Sequence, residues 1–329
     1  MKEVILFVAA LSGCLLAIRK YFAGGVCRSK RRLSGKTVII TGGNTGIGKE
    51  TAVELAKRGA RVIIGCRDAK RGRAACEDIR RRAKRTTDVE SVAYRHLDLA
   101  DFASVRQFVA RMRTEERSID VLVNNAGVYR CPYWRTVDGH EMHFGVNHLG
   151  HFLLTLLLMD RLVESKPSRV INVASLGHKR GKIDFNDLNF ERDYDRRVAY
   201  CRSKLANVLF TRELSRRLGD GSVGVTVNAL HPGIVFTNLG RHVIRGFWGV
   251  VKAILVAPIA LLFLKTPWQG AQTSIYCALA EELDGVSGRY FVDCRQADVA
   301  DVAKDDEVAR RLWEVSEELT GVTLSAHFL

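Results

Sequence analysis

Residues 37–48 read TVIITGGNTGIG, an apolar run followed by a glycine-rich turn. The run indicates a buried strand, and the residues after the turn have the composition of a helix. Glycine suits such a turn because the chain bends tightly there and because a pyrophosphate must approach the backbone and the helix N-terminus closely. The spacing T-G-x-x-x-G-x-G therefore predicts a dinucleotide-binding turn made by Gly42, Asn44, Thr45, Gly46, Ile47 and Gly48.

From this turn outward, apolar strands alternate with helices along most of the chain. The alternation predicts an α/β fold with a doubly wound parallel sheet, and we expect a single Rossmann-type domain over residues 36–300. Residues 1–35 are expected to form a hydrophobic anchor and a basic linker, and residues 301–329 a charged helical tail. The other strands are predicted at 61–65, 92–97, 119–123, 169–174, 223–229 and 289–292, and two of the helices are predicted from Asn147 toward Met159 and over about 271–282.

The end of the second predicted strand distinguishes between the two nicotinamide cofactors. An acidic residue there would bind the ribose 2′-hydroxyl, whereas an arginine suits a 2′-phosphate. Arg67 comes first at this strand end and Asp68 follows it, with Lys49 at the start of the preceding helix. The sequence therefore favours NADP(H) over NAD(H).

The third and fourth predicted strands also end in polar residues. Asp98 follows the third strand, where an adenine amino group could be met. The fourth strand leads into a turn of polar and small residues, which lets the backbone pass close to a ligand. The residues of this turn expected to contact the cofactor are Asn125, Ala126 and Gly127.

Tyr200 and Lys204 are four residues apart in a predicted helix, so their side chains project from one face. The pKa of an ordinary tyrosine is near ~10, and a neighbouring cation favours the phenolate and lowers that pKa. The pair can therefore serve as an acid/base device. Chance pairs of this kind are common on solvated helix faces, so the interpretation depends on the glycine-rich turn upstream and on Ser175 in the connecting region.

The N-terminal segment is apolar. Residues 4–18 carry no charge and are followed by Arg19 and Lys20. At helical rise the run spans about 22 Å, short of a ~30 Å hydrocarbon core, so it could cross a membrane at a stretch or lie in one leaflet. A cleaved signal peptide is the main alternative, although the start of the chain is hardly basic. We favour an uncleaved anchor in membrane lipid, and the basic cluster after it predicts a cytosolic catalytic part.

The formal net charge of +15 is concentrated in local basic runs such as residues 80–85. These runs could meet nucleic acid, an anionic membrane or a phosphorylated cofactor, or could simply form a solvated helix face. No aromatic interleaving or zinc spacing supports a nucleic-acid partner. The eight cysteines include no close C-x-x-C pair, so we expect reduced thiols and neither a disulfide framework nor a metal site.

The chain becomes strongly apolar over residues 238–266, after the sixth predicted strand. Doubly wound sheets bind their ligands beyond the carboxyl ends of the strands, where this segment begins. An apolar flap there predicts a lipophilic substrate. A second membrane span is the competing interpretation, although Lys252 and Pro258 interrupt the run, and plain core packing is a further alternative.

Five ordered features resemble the short-chain dehydrogenase/reductase family. They are the turn at 41–48, the segment 124–127, Asn147, Ser175, and Tyr200 with Lys204. The resemblance covers nearly everything from Lys36 to about Phe291. Within the family, the membrane-bound retinol dehydrogenases are the most similar subgroup. The stretches that carry this narrower resemblance are 145–152, 177–197, 199–207 and 231–233.

The resemblance implies roles for the matching residues. Tyr200 would be the catalytic acid/base, and Lys204 would hold the nicotinamide ribose and lower the pKa of the tyrosine. Ser175 would hydrogen-bond the substrate oxygen, and Asn147 would hold a water that links Lys204 to solvent. Gly43 stands where alanine is common, a change expected to leave cofactor binding intact. The residues that would lie against the nicotinamide are Pro232, Gly233 and Thr237.

The same resemblance implies an NADP(H)-dependent oxidoreductase that interconverts a lipophilic aldehyde and its alcohol. All-trans-retinal and retinol are the first expectation, and fatty aldehydes or steroid ketones would fit an apolar flap as well. A non-catalytic, nucleotide-binding scaffold at a membrane is the other hypothesis, against which the intact set of Ser175, Tyr200 and Lys204 argues. The expected location is the endoplasmic reticulum membrane, with the mitochondrial inner membrane second.

Overall fold

The computed structural model of the protein describes residues 1–83, 91–235 and 262–325. At its centre is a sheet of eight strands in the order β3-β2-β1-β4-β5-β6-β7-β8. The first seven strands pair in parallel, and β8 runs antiparallel to β7. The strands are β1 Thr37–Thr41, β2 Arg61–Cys66, β3 Val92–His96, β4 Val121–Asn124, β5 Ser168–Val173, β6 Val225–His231, β7 Tyr290–Val292 and β8 Arg295–Gln296.

Helices cover both faces of the sheet. They are α1 Lys2–Ala23, α2 Gly46–Lys57, α3 Ala69–Ala83, α4 Phe102–Glu115, α5 Met142–Phe144, α6 Gly150–Leu157, α7 Met159–Glu164, α8 Arg196–Arg217, α9 Pro267–Leu279 and α10 Asp306–Thr320. One apolar cluster joins α2, α3 and α9 to the sheet, and a second joins α4, α6, α8 and α10 to it. The expected doubly wound α/β sheet is confirmed.

The central strands are apolar because both of their faces are covered. Every residue of β1, β4, β5 and β6 is buried. Continuous apolar runs of this kind are typical of parallel strands between two helical layers. The strands predicted from the sequence agree with the observed ones to within about two residues, and β8 was not predicted.

Helix α9 begins at Pro267, four residues before the predicted start at residue 271. The Thr266 hydroxyl accepts a hydrogen bond from the Gln269 backbone N–H at 3.2 Å, and the Gln269 side chain accepts one from the Thr266 N–H at 2.9 Å. This reciprocal cap, with a proline in the first turn, fixes the earlier start.

The C-terminal tail forms α10, which packs on α8. Trp313 is buried, with its ring centre 5.0 Å from that of Phe152 and 5.9 Å from that of Phe210. His148 Nε2 lies 2.9 Å from the Ser316 hydroxyl in the same interface. The tail is therefore part of the core on this face of the sheet.

The N-terminal segment contacts α9 and the domain around it. The Arg19 guanidinium donates to Gln269 Oε1 at 2.9 Å, and the Cys27 backbone N–H donates to Gln272 Oε1 at 3.1 Å. The Ser29 hydroxyl donates to the Leu279 carbonyl at 3.1 Å. Among the residues described here, no helix is both long and apolar enough to cross a membrane.

Candidate active site

The glycine-rich turn connects β1 to α2 at the carboxyl edge of the sheet. Gly42 and Gly46 have φ values of 66° and 57°, the left-handed region that glycine adopts without strain. A Cβ at Gly42 would lie 3.0 Å from the Ala126 Cα, so the turn lies directly against the residues after β4. The N-terminus of α2, beginning at Gly46, is an anion-binding position on general grounds.

Two further glycines of the turn allow close packing. A Cβ at Gly48 would lie 2.5 Å from Asn125 Nδ2, which in turn donates to the Thr41 carbonyl at 2.8 Å. A Cβ at Gly43 would lie 2.5 Å from Ile64 Cγ2. In this chain, therefore, the Ile64 side chain occupies the space that an alanine at position 43 would need.

The Thr41 hydroxyl holds the turn against the end of β4. It accepts hydrogen bonds from the backbone N–H groups of Asn125 and Ala126, both at 2.9 Å. His151 Nδ1 is 3.0 Å from the Asn147 carbonyl and must donate to it, so His151 Nε2 accepts from the Thr41 hydroxyl at 2.8 Å. Burial lowers the pKa of His151 to about 4, which keeps the imidazole neutral as this arrangement requires.

Asn147 lies in a π-helical turn, Gly145–Leu149, where the sequence had indicated an uninterrupted helix. Its Oδ1 accepts from the Val128 N–H at 2.8 Å, and its Nδ2 donates to the Val128 carbonyl at 3.1 Å and to the Ser203 hydroxyl at 2.9 Å. The Asn147 side chain thus clamps the loop after β4 to α8. The extra residue of a π-turn rotates the following side chains, and such turns recur at functional sites.

Lys204 is 4% exposed and projects toward the end of β5. Its Nζ donates to the Val173 carbonyl at 2.8 Å and lies 5.9 Å from the centre of the Tyr200 ring. A Cβ on Gly127 would be 3.8 Å from this nitrogen. Burial lowers the pKa of Lys204 to about 8.

Tyr200 and Ser175 lie next to each other: a Cβ on Gly177 would be 3.4 Å from Tyr200 Cε1 and 3.5 Å from Ser175 Oγ. Burial raises the pKa of Tyr200 to about 12, and Ser175 acts in the opposite direction. The Ser175 Oγ accepts from the Gly177 N–H at 3.1 Å, which fixes its orientation at the end of β5. The sequence-based expectation of a lowered tyrosine pKa is therefore corrected: burial of the phenol outweighs the nearby cation.

Three aromatic or charged residues near Tyr200 were not identified from the sequence. The Tyr129 ring meets the Tyr200 ring edge-on with centres 4.6 Å apart, and the His143 ring centre is 6.2 Å away. His143 Nδ1 lies 2.7 Å from Glu141 Oε1, and both residues are fully buried. Arg130 lies over Tyr129. The segment 129–143 carries no motif spacing, so only its position after Asn125–Gly127 could have drawn attention to it.

The ends of β2 and β3 form the far side of the site. Arg67 is exposed and forms no hydrogen bond or ion pair with the described residues. Asp68 instead accepts from the Arg71 N–H at 3.0 Å, and Lys49 pairs with Asp78 at 2.9 Å. Asp98 Oδ1 accepts from the Ala100 N–H at 3.0 Å within its own turn. Lys49 and Arg67 were the two cations expected at this position. Within the described part of the chain, Lys49 has an ion-pair partner and Arg67 has none.

The end of β6 brings Pro232 and Gly233 to the same edge of the sheet. Gly233 has a φ of 89°, and a Cβ there would lie 2.7 Å from Lys265 Cδ. Lys265 forms an ion pair with Asp293 and covers this turn. Thr237 and most of the expected flap at 238–266 lie outside the described residues.

The sequence model of the short chain dehydrogenase family matches residues 36–246. The chain belongs to the short-chain dehydrogenase/reductase family. It is 53% identical to human retinol dehydrogenase 13 over 96% of this chain and 93% of that protein. Retinol dehydrogenase 12 of Bos taurus is 53% identical over 93% of each chain. Human retinol dehydrogenase 11 is 50% identical over 93% of this chain and 92% of that protein.

Solved structures agree with this assignment. An uncharacterized protein from Mycobacterium paratuberculosis is 35% identical, with a TM-score of 0.73 over 92% of this chain and 99% of that chain. A variant of actinorhodin polyketide ketoreductase, at 23% identity and a TM-score of 0.60 over 78% of this chain and 94% of that one, shares the fold. As a member of the family the protein is an oxidoreductase that uses a nicotinamide cofactor.

The residues at the carboxyl edge of the sheet fit such a cofactor. Because Gly42 and Gly48 carry no side chain, the turn packs directly against Ala126 and Asn125 and keeps its backbone next to the N-terminus of α2. A pyrophosphate can therefore approach the backbone at the turn. Tyr200, Lys204 and Gly127 lie together further along the same edge, where the reacting end of a dinucleotide would be held.

Proposed function

We propose that the protein is an NADP(H)-dependent oxidoreductase that interconverts a lipophilic aldehyde and its alcohol, with all-trans-retinal and retinol as the first pair. The observation that carries this proposal is the Tyr200 ring beside Ser175, with the Lys204 ammonium one helical turn away beside Gly127. A scaffold that only bound nucleotide would not need a proton donor at this place.

Each residue of this group has a separate chemical task. Bound nicotinamide supplies hydride chemistry, and the protein supplies binding, orientation and a proton donor. Tyr200 gives its proton to the carbonyl oxygen in reduction and takes the alcohol proton in oxidation. Ser175 orients that oxygen, since its hydroxyl lies beside the Tyr200 ring and is held by the Gly177 N–H. Lys204 holds the nicotinamide ribose, and Asn147 keeps Gly127 beside Lys204 while a water at the π-turn links Lys204 to solvent.

The remaining residues would bind successive parts of the dinucleotide along its length. The turn residues Gly42, Asn44, Thr45, Gly46, Ile47 and Gly48 hold the pyrophosphate. Asp98 meets the adenine, and Asn125 and Ala126 line the middle of the site. Pro232, Gly233 and Thr237 lie against the nicotinamide.

The preference for NADP(H) rests on Arg67. Its guanidinium is exposed at the end of β2 and has no acidic partner among the described residues. Asp68 caps α3 instead of facing the ribose position. A free arginine at this place can pair with a 2′-phosphate, and the hydrogen bond of Asp68 to the Arg71 N–H supports this choice over an acidic residue bound to the 2′-hydroxyl.

The retinoid assignment rests on the names and the 53% identity of the relatives, together with the apolar composition of residues 238–266. Fatty aldehydes and steroid ketones are the alternatives in the same enzyme class.

The charge-free run of α1 attaches the protein to a membrane, the endoplasmic reticulum first and the mitochondrial inner membrane second, with the catalytic part in the cytosol. There, the mostly reduced cytosolic NADPH pool favours reduction.

The test is NADPH consumption by membranes that carry the protein. Retinal, a medium-chain aldehyde and a ketosteroid are offered side by side, with NADH as the parallel cofactor. The proposal expects the fastest consumption with retinal and NADPH. Faster turnover of either other substrate would replace the retinoid assignment, and no turnover of any carbonyl would support the scaffold hypothesis.

A further inference from the structure

Arg130 differs from the other residues around Tyr200 in its backbone conformation. Its φ is 50°, in the left-handed region that side chains other than glycine seldom adopt. Such strain costs about 1 kcal/mol or more and persists where the surrounding structure imposes it, often at active sites. In this conformation the guanidinium carbon lies 5.0 Å from the centre of the Tyr129 ring, a cation–π contact.

Arg130 forms no close ion pair with an acid among the described residues, and Asp195 interacts with its charge only at longer range. Its Nε is buried and has no hydrogen-bond partner among the described residues, and no carboxylate there forms an ion pair with it. Arg135, five residues later, also lies over a tyrosine ring but does have a carboxylate partner. It lies over the Tyr133 ring at 5.9 Å, but it is exposed and pairs with Glu191 at 3.0 Å.

Tyr129 connects Arg130 to the reacting group. The Tyr129 and Tyr200 rings meet edge-on, with an interplanar angle of 79° and centres 4.6 Å apart. Tyr129 and Arg130 belong to the loop after β4, whereas Tyr200 and Lys204 belong to α8. The phenol of Tyr200 is therefore approached by cations from two separate elements.

We propose that Arg130, held against Tyr129, is a positioning residue that stabilises the phenolate form of Tyr200. The inference rests on the proposed function, because it concerns the same proton transfer. The physical reason is that a cation stabilises a nearby negative charge most strongly where little water screens it. Arg130 thereby offsets part of the cost that burial imposes on the phenolate.

The electrostatics of neighbouring groups agree with this placement. Burial raises the pKa of Tyr200; Ser175 opposes this rise, Tyr129 and Cys201 add to it, and Arg130 opposes it with a smaller effect. The backbone N–H groups of Val198 and Arg197 lower the pKa of Asp195, with a smaller contribution from Arg130, and Arg130 opposes the rise that burial causes in the pKa of the Cys201 thiol. All three groups lie in the first turns of α8 or at its N-cap, so the field of Arg130 covers this end of the helix.

Arg130 and Lys204 act over different pH ranges. The groups that face Tyr200 are Tyr129 and Arg130 after β4, His143 on α5, Ser175 after β5, Tyr290 on β7, and Cys201 and Lys204 on its own helix. Burial lowers the pKa of Lys204 to about 8, so its charge is lost in mildly alkaline solution. An arginine keeps its charge there. Arg130 is therefore the cation that supports the phenolate above that pH.

The experiment measures kcat for retinol oxidation with NADP⁺ as a function of pH, where the acidic limb reports formation of the phenolate. Arg130→Met removes the charge but keeps a side chain of similar length at the same strained φ. We expect the acidic limb to move up by about 0.5–1 pH unit, with kcat at neutral pH about 3–10-fold lower. Arg130→Lys should show a smaller shift.

Arg135→Met is the matched control, and its profile should coincide with that of the unmodified protein. Affinity for NADPH, measured by fluorescence, checks that each variant is folded. An unchanged profile in folded Arg130→Met would overturn the inference, as would a raised KM with the limb unmoved, because Arg130 would then contact substrate instead. Absence of turnover in the unmodified protein would overturn the proposed function, and this inference with it.

Discussion

The proposed preference for NADP(H) can be tested at a single exposed side chain, Arg67. It lies at the end of β2, while the adjacent Asp68 accepts a hydrogen bond from the Arg71 backbone N–H. Arg67→Ala should weaken NADPH binding by about 10–100-fold, because a charge-assisted pair with the 2′-phosphate is lost, and should leave NADH binding nearly unchanged. Titration of both cofactors by fluorescence checks this. Lys70→Ala, at an exposed position three residues on, is the control, and an equal loss for both cofactors in Arg67→Ala would contradict the assignment.

The residues of the site were predictable to the extent that they lie in motifs of fixed spacing. Gly42–Gly48 follows a strand and opens a helix, and Tyr200 and Lys204 are one turn apart, so local geometry alone brings each set together. Tyr129, Arg130 and His143 could not be found in this way. Tyr129 and His143 contact Tyr200 from elements that are more than fifty residues away in sequence, Arg130 lies over Tyr129, and no local pattern records such contacts.

The direction of the Tyr200 pKa was not predictable for the same reason. The sequence places a cation beside the phenol, which lowers its pKa, but only the folded structure shows how deeply the phenol is buried. Desolvation of the charged form then acts in the opposite direction and is larger. The hydroxyl of Ser175 and the charges of Lys204 and Arg130 must together offset it during catalysis.

At the scale of elements, the contact between the glycine-rich turn and β2 gives a direct test of packing. A Cβ on Gly43 would lie 2.5 Å from Ile64 Cγ2 and 2.8 Å from Ile64 Cβ, in a fully buried position. Gly43→Ala should therefore lower the free energy of unfolding by about 1–3 kcal/mol through overpacking.

Ile64→Leu removes the branch at Cβ and keeps the side-chain volume, so it should cost less than about 1.5 kcal/mol alone and should restore part of the loss when combined with Gly43→Ala. Urea denaturation of the four proteins completes the cycle. Strictly additive effects would show that Ile64 does not occupy the space in question.

The sequence did not predict the π-turn in the helix that carries Asn147. Its apolar periodicity predicted a helix toward Met159, and the structure has one, but interrupted by the π-turn at Gly145–Leu149. The interruption is stabilised by distant groups: Asn147 bonds Val128 and Ser203, and its carbonyl bonds His151. Tertiary contacts of this kind can stabilise a π-turn in a helix whose local sequence does not indicate one.

For the whole molecule, buried neutral histidines predict sensitivity to acid. Burial lowers the pKa of His148 to about 3 and the pKa values of His151 and His231 to about 4. In the unfolded chain these groups bind protons below about pH 6.5, whereas in the folded protein they do not. Stability is therefore complete above about pH 6.5 and falls toward pH 4, by up to about 1.4 kcal/mol per pH unit for each histidine.

Urea denaturation at pH 7 and pH 5 measures this loss, which should be several kcal/mol. His148→Gln should reduce the pH dependence by less than about one third, since burial also lowers the pKa values of His140, His151, His178 and His231. His96→Gln, at an exposed position, should leave it unchanged. Equal stability of the unmodified protein at the two pH values would contradict the burial of these imidazoles.

The segment before β1 belongs to the stability of the whole molecule as well as to its expected attachment to membranes. Ser29 bonds both the Leu279 carbonyl and the Arg58 guanidinium, Arg31 pairs with Asp284, and Leu33 is buried. Removal of residues 1–35 should lower the free energy of unfolding by about 2–5 kcal/mol, whereas removal of residues 1–18 should have little effect. Equal stability of the two shortened proteins in detergent would show that these contacts contribute nothing.

The central claim, that the Tyr200 phenol transfers the proton, is tested most directly by Tyr200→Phe. This change removes one hydroxyl and leaves the ring packed against Tyr129. Single-turnover reduction of retinal by NADPH is measured beside NADPH affinity, with Tyr276→Phe on α9 as the control. The account predicts that Tyr200→Phe slows reduction by about 10²–10⁴-fold and that both variants bind NADPH as the unmodified protein does. Reduction by Tyr200→Phe at the unmodified rate, with cofactor bound, would contradict it.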